Sequence, residues 1–199
     1  MGKVESNKLQ KRNTLFTTAF ELFHEKGFAR TTISDIVNRA GLAKGTFYLY
    51  FKDKYDIRDK LIAHKTAQLL AAAHREIQIR KPDSFEESIL MTADFLIDRL
   101  EKDQGLLSFI TKNLSWGVLG TAFQKNVPEE SVRFYDNYIE MLNRYQISCD
   151  DPELMLFTIL ELVGSTACSC ILYKQPVTIE EYKPYLHKVI LSTIDTFCR

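Results

Sequence analysis

The residues best suited to chemistry crowd between positions 32 and 54. Thr32, Lys44, Thr46, Tyr48, Tyr50 and Lys54 bring hydroxyls, phenols and ammonium groups, and Gly45 and Ala43 sit among them as small residues. The set is rich in hydrogen-bond donors and positive charge. Ammonium and hydroxyl groups suit phosphate oxygens, and a phenol can bond a phosphate while its ring touches a thymine methyl. Small residues at such a tip let backbone approach a groove closely. Phe47 and Phe51 are four apart on one helical face and are expected in a core.

No second chemistry competes with this one. The chain has four cysteines (Cys149, Cys168, Cys170, Cys198) and four scattered histidines (His24, His64, His74, His187), with no C-x-x-C pair. A metal site and a cofactor are therefore unsupported. No Ser/His/Asp or Cys/His arrangement stands out, and the carboxylates fall in helix caps or on solvated faces, so an enzyme is not expected. Cys168 and Cys170 point about 200° apart on one helix and are poorly placed to bridge each other. They read as small core residues, with a redox role left open. Four late cysteines in 199 residues suit a reducing cytoplasm rather than a disulfide-stapled scaffold. The first thirty residues are polar and amphipathic, without the apolar run of a secretory signal.

The elements that must position these residues repeat at helical period. Leu15, Phe16, Ala19, Phe20, Leu22 and Phe23 form one stripe, stopped by Gly27. Thr32 with Asp35 three residues on resembles a capping box for a short helix ending at Ala40-Gly41. A turn, Gly41-Leu42-Ala43, leads to a second short helix, and together they make a helix-turn-helix. A longer helix is expected from about Lys54 to about Arg80, before Lys81-Pro82. Ser84 opens a capping box for a helix to about Lys102, and Asp103 caps the next run, which Gly117 and Gly120 interrupt. Pro128-Glu129-Glu130 reads as a first turn, and Asp151-Pro152 as an N-cap with Pro at the first helical position. Thr178 and Glu181 make a further capping box, but Pro184 lies deep for a helix starting there. Either the last helix starts near Lys183 or Pro184 kinks it. The fold class expected is all-α, about nine helices. Leu154 to Tyr173 is twenty residues with one charge, Glu161; its Thr and Ser residues and the lack of a second span favour a bundle core or dimer interface over a membrane.

The formal net charge is zero but uneven. Residues 1–60 hold twelve Lys/Arg against seven Asp/Glu, while residues 61–199 carry the matching acidic excess. A basic head can meet nucleic acid, or reflect chance clustering on a solvated face.

Thr31 to Val37, followed by Ala40-Gly41-Leu42-Ala43-Lys44-Gly45-Thr46-Phe47-Tyr48-Leu49-Tyr50-Phe51-Lys52-Asp53-Lys54, resembles the DNA-binding signature of the TetR family of bacterial transcriptional regulators. Ala19 to Phe28 is similar to that family's first helix, and the likeness covers roughly residues 10–60. It implies a helix-turn-helix DNA-binding domain over 1–53 and a helical ligand-binding and dimerisation domain over 54–199, linked by the helix of about 54–80. It implies that Thr32 meets a backbone phosphate at a helix N-terminus. Lys44, Gly45 and Thr46 would face base edges, and Tyr48 a phosphate or thymine methyl. Tyr50 stands where many members carry His and would meet phosphate, as would Lys54 through its side chain or backbone.

The remaining two-thirds resembles the family in architecture only. The resemblance implies a cytoplasmic homodimer built by the last two helices of each chain, a double-stranded operator and a small-molecule effector. Gly164, Ser165, Ala167 and Ser169 permit close helix approach; Leu186, Val189, Ile190, Thr193 and Phe197 lie near one face. Candidate ligand residues are Phe109, Trp116, Phe134, Tyr138 and Phe157. Glu161 would counter a cationic ligand or pair across the dimer. The expected role is a ligand-responsive repressor. An architectural DNA-binding protein without an inducer and an activator are the alternatives.

Overall fold

The computed structural model describes residues 3–111 and 134–198. Among them the chain is all-α, with nine helices: α1 (Lys3–Lys26), α2 (Ile33–Ala40), α3 (Lys44–Tyr48), α4 (Lys54–Arg80), α5 (Phe85–Lys102), α6 (Gln104–Thr111), α7 (Phe134–Arg144), α8 (Pro152–Leu172) and α9 (Ile179–Phe197). The expected first turn at Pro128 and the interruption at Gly117 and Gly120 lie outside the described residues. The chain divides into two compact units, Met1–Ala63 and His64–Arg199, and the boundary falls inside α4.

The first unit is built by α1, α2, α3 and the start of α4. Leu15, Ala19 and Leu22 of α1, Ile36 and Val37 of α2, Phe47 and Phe51, and Ile57 and Leu61 of α4 are all buried. Each of these side chains other than Ala19 contributes about 1.5–3 kcal/mol by leaving water. Phe51 packs against Phe16 at 5.2 Å and Phe47 at 5.4 Å between ring centroids. Gly41 ends α2 at φ 65, a left-handed conformation that costs a glycine nothing, and its N–H reaches back to Asn38 and Val37 carbonyls. Thr31 is fully buried, and its hydroxyl lies 2.9 Å from the Gly27 carbonyl and 3.2 Å from that of Leu22. It ties the end of α1 to the entry of α2.

The second unit packs α5 to α9 around Phe85, Ile97, Leu107, Tyr138, Met155, Ile159, Leu186 and Ile190. Leu70 and Ala73 of α4 join Leu96 of α5 in a smaller cluster. Three start signals are used: Ser84, Asp151 and Thr178 accept from the backbone N–H three residues on, and Pro152 opens α8. Tyr145 stitches the unit by donating to the Pro82 carbonyl at 2.6 Å.

Of the two options at Pro184, the last helix does not start near Lys183: α9 runs from Ile179 with Pro184 inside it. The Thr178–Glu181 capping box holds its first turn. Pro184 is exposed, so the Glu180 carbonyl that loses its helical donor can turn to water. α8 is long and apolar enough to cross a bilayer, with mean hydropathy 1.8. Seven of its residues are buried in the second unit, which is what a core helix requires.

Candidate nucleic-acid interface and effector cavity

In the first unit, α2 starts from a complete capping box. Asp35 N–H donates to the Thr32 hydroxyl at 3.1 Å, and Thr32 N–H donates to Asp35 Oδ2 at 2.9 Å. The Thr32 hydroxyl also donates to that carboxylate at 2.8 Å. These bonds to Thr32, with Lys26 nearby, hold Asp35 below the ordinary aspartate range. Thr32 is exposed at this N-terminus, with both its donors engaged by Asp35. An approaching anion meets the next amides, those of Ile33 and Ser34.

The turn after Gly41 sets α3 on the surface. Its inward residue, Phe47, is completely buried, and the Phe16–Phe51–Phe47 rings fix its height and rotation. Lys44, Gly45, Tyr48 and Leu49 are exposed; Thr46 and Tyr50 are half-buried. A Cβ added at Gly45 would meet nothing within 4 Å, so nothing inside the protein requires glycine there. The Tyr48 ring stands edge-on to Phe47 at 5.5 Å, which orients its hydroxyl outward without burying it. Lys44 and Tyr48 are four residues apart and share a face. The structure thus brings Lys44, Gly45, Thr46, Tyr48 and Tyr50 onto one short segment.

Lys54 is placed differently. Its ammonium donates to the carbonyls of Phe28 at 2.9 Å and Ala29 at 3.3 Å, and lies 4.5 Å from the Phe28 ring centre. Its side chain fastens the α1–α2 corner to the start of α4. Arg58 completes this corner, its guanidinium 4.9 Å from Phe28 and 5.2 Å from Tyr55. Tyr55, exposed and edge-on to Phe28, was not among the expected contacts. Only the aromatic character of Phe28 and Tyr55 hinted at this corner.

The second unit contains an apolar cavity of about 60 Å³. Its walls come from α4, α5, α7 and α8, and include Ile77, Ala93, Phe134, Tyr138, Leu156 and Ile159. His74, Thr92 and Asn137 are its polar lining groups. Burial pushes His74 below its ordinary value, and Glu140 and Arg144 act in opposite senses. The ring is therefore neutral at pH 7 and can donate or accept. Tyr138 presents its ring to the cavity, while its hydroxyl donates to the Pro152 carbonyl at 3.2 Å. Burial pushes that phenol well above its usual range.

Two of the expected ligand residues, Phe134 and Tyr138, line this cavity. Phe109, Phe157 and Glu161 do not. On α8 the lining residues are Leu156, Ile159, Leu160 and Val163, spaced as one helical face. Phe157 lies off that stripe in a surface groove with Asp151, Glu153 and Leu154, and Glu161 is exposed. Trp116 lies outside the described residues. His74, Thr92 and Asn137 were not anticipated, because single polar residues on otherwise ordinary helices carry no motif. Among the described residues there is no cluster of three or more His, Cys, Asp or Glu that could hold a metal.

This geometry defines a helix-turn-helix protein with a helical second unit. Residues 15–61 match the family described as bacterial regulatory proteins, tetR family. The chain is 36% identical over 109 residues to the uncharacterized HTH-type transcriptional regulator YvdT of Bacillus subtilis, covering 52% of each chain. It is 35% identical over 71 residues to the fatty acid metabolism regulator protein of Bacillus subtilis, covering 36% of this chain and 37% of that one. The matches thus span about half the length of these relatives, or less. Among solved structures, FadR from Bacillus subtilis in complex with stearoyl-CoA superposes with a TM-score of 0.61 at 21% identity, over 90% of this chain and 97% of that one. A TetR-family regulator from Haemophilus influenzae superposes with a TM-score of 0.62 at 16% identity, over the full length of both. These two likenesses establish the fold.

Proposed function

We propose that this chain is a cytoplasmic, ligand-responsive transcriptional repressor. It binds a palindromic operator as a homodimer and leaves it when a small apolar molecule enters the second unit. The observation that carries this reading is α3. Its exposed edge holds Lys44, Gly45 and Tyr48, its inner side is locked by buried Phe47, and it lies within the segment that matches the family. Lys44, Gly45 and Thr46 read base edges in the major groove; Tyr48 and Tyr50 bond phosphates or touch thymine methyls. Thr32 acts through the N-terminus of α2, and Lys54 by holding the corner beside it.

The dimer forms through α8 and α9. Leu154 on α8 and Tyr185 and Val189 on α9 are large apolar side chains exposed in the single chain, and a symmetric pair of such helices would cover them. The effector site is the cavity beside Phe134 and Tyr138. At about 60 Å³ it is far below the ~300–1,000 Å³ of a typical ligand pocket. The effector therefore enters by displacing wall residues, and that displacement is what transmits the signal. α4 carries both Lys54 and the wall residues His74 and Ile77. The ligand's differential affinity for the two positions of α4 sets the coupling.

The walls favour a ligand with an apolar body and one hydrogen-bonding group for His74, Thr92 or Asn137. The Bacillus subtilis FadR complex makes a long-chain acyl-CoA the first compound to try. The test starts with selection of a binding site from a random duplex pool. Fluorescence anisotropy then follows the selected duplex as stearoyl-CoA and free fatty acids are added at fixed salt. The reading expects a palindrome and its release by an apolar ligand. Operator affinity that ignores every apolar ligand would refute the inducible part.

A further inference from the structure

The connection between α7 and α8 meets the end of α9 in one isolated antiparallel bridge, with Cys149 directly opposite Cys198. Asp150 N–H donates to the Phe197 carbonyl at 2.8 Å. That bond joins the residues flanking the cysteines, so the cysteines themselves form the non-hydrogen-bonded kind of pair. Opposed residues in such a pair have Cα atoms about 4.5 Å apart and side chains on one face. This lies within the span of a disulfide. Cys198 Sγ lies 3.6 Å from Sδ of buried Met155. Both cysteines are free and partly exposed.

We propose that Cys149 and Cys198 form a reversible dithiol–disulfide pair that clasps the end of α9 to the start of α8 when the cell becomes oxidising. A small disulfide is the oxidant. The Cys149 thiolate attacks one of its sulfurs and releases the other half as a thiolate. Cys198 then loses its proton and attacks the Cys149 sulfur, expelling the second half. Two protein thiols become one disulfide, and one small disulfide becomes two small thiols.

The remaining chemistry fits a slow, persistent response rather than a fast sensor. Burial and the neighbouring Cys149 push the Cys198 thiol up to about 12. Resolution by Cys198 therefore limits the rate, and the reaction quickens as pH rises. In a reducing cytoplasm such a bond stays open until the thiol pool is oxidised. Closing it would enclose α8 and α9 in one covalent loop, the two helices assigned above to the dimer. Met155, in contact with Cys198, is followed by Leu156 of the cavity wall.

The test oxidises the purified full chain with oxidised glutathione, blocks remaining thiols and maps peptides without reduction. The expected result is a peptide pair linked through Cys149 and Cys198 and an intact mass lower by two hydrogens. The melting temperature rises by about 5–15 °C and returns with dithiothreitol, as closure of a loop of this length implies. Cys149→Ser and Cys198→Ala each abolish the link and the shift; because both thiols are partly exposed, matching helical circular dichroism of the reduced forms shows that folding is intact. Persistent glutathione adducts on either cysteine, unchanged thiol titration, or links through Cys168 or Cys170 would overturn the proposal. These outcomes do not depend on DNA or effector binding.

Discussion

Gly45→Ala separates the demands of the fold from those of the DNA. Gly45 is the second residue of α3, and an added Cβ there meets no atom within 4 Å. Its backbone is helical, so alanine adopts it without strain. The substitution reduces the freedom of the unfolded chain and stabilises by about 0.4–1 kcal/mol. In a chain of this length that raises the melting temperature by roughly 1–4 °C. On DNA the sign reverses. In the proposed binding mode the new methyl occupies the gap through which α3 approaches the base edges, and a lost base contact costs about 1–3 kcal/mol. Operator affinity then falls roughly 5- to 150-fold. Circular-dichroism melting and fluorescence anisotropy on the selected duplex measure the two effects on one preparation. A variant more stable than the parent and binding DNA equally well would refute the claim that α3 enters a groove closely at Gly45.

Further outcomes follow from the same geometry. Lys44→Ala and Tyr48→Ala each weaken specific binding by about 1–3 kcal/mol if they touch bases, with melting temperature unchanged; a uniform loss on every duplex, with a shallower salt slope, would move Lys44 to a phosphate. Phe47→Ala empties a fully buried site and costs about 3–5 kcal/mol, read as loss of the cooperative denaturation of the first unit; Phe47→Leu recovers most of it. Ala93→Leu fills part of the cavity, costs about 1–3 kcal/mol and leaves DNA binding intact while removing effector release, checked by anisotropy with ligand. Asp35 is held below its ordinary value by Thr32, so its support of α2 is complete above about pH 4 and is lost as pH falls through the lowered value. Asp35→Asn abolishes that acid-side dependence in pH-dependent melting; an unchanged profile would deny the cap this role.

Local signals carried far in this chain. The Thr32–Asp35 box, Gly41, Ser84, Asp151-Pro152 and the Lys81-Pro82 stop lie where the helices begin and end, because caps and breakers act within a few residues. The face of α3 was legible for the same reason: Phe47 and Phe51 had to point inward, leaving Lys44 and Tyr48 outward. What depends on distant neighbours was not. Lys54 turned out to hold the carbonyls of Phe28 and Ala29, a partner set by how α1 meets α4. Aromatic spacing could not separate cavity wall from core, so Phe134 and Tyr138 line the cavity while Phe109 and Phe157 do not. The sequence drew attention to Cys168 and Cys170 because they are near neighbours. The opposed cysteines are Cys149 and Cys198, brought together by the return of α9. Pro184 stayed inside α9 because a strong cap outweighed a missing hydrogen bond on the exposed side.

The most direct measurement is the affinity of the full chain for its selected palindrome against a scrambled duplex of equal length, at one stated salt concentration. Sequence-specific recognition through α3 predicts binding to the palindrome about 10³-fold tighter or more, as two chains per site, with Lys44→Ala and Tyr48→Ala eroding that ratio. Equal affinity for both duplexes, or a ratio that neither substitution changes, would contradict the account.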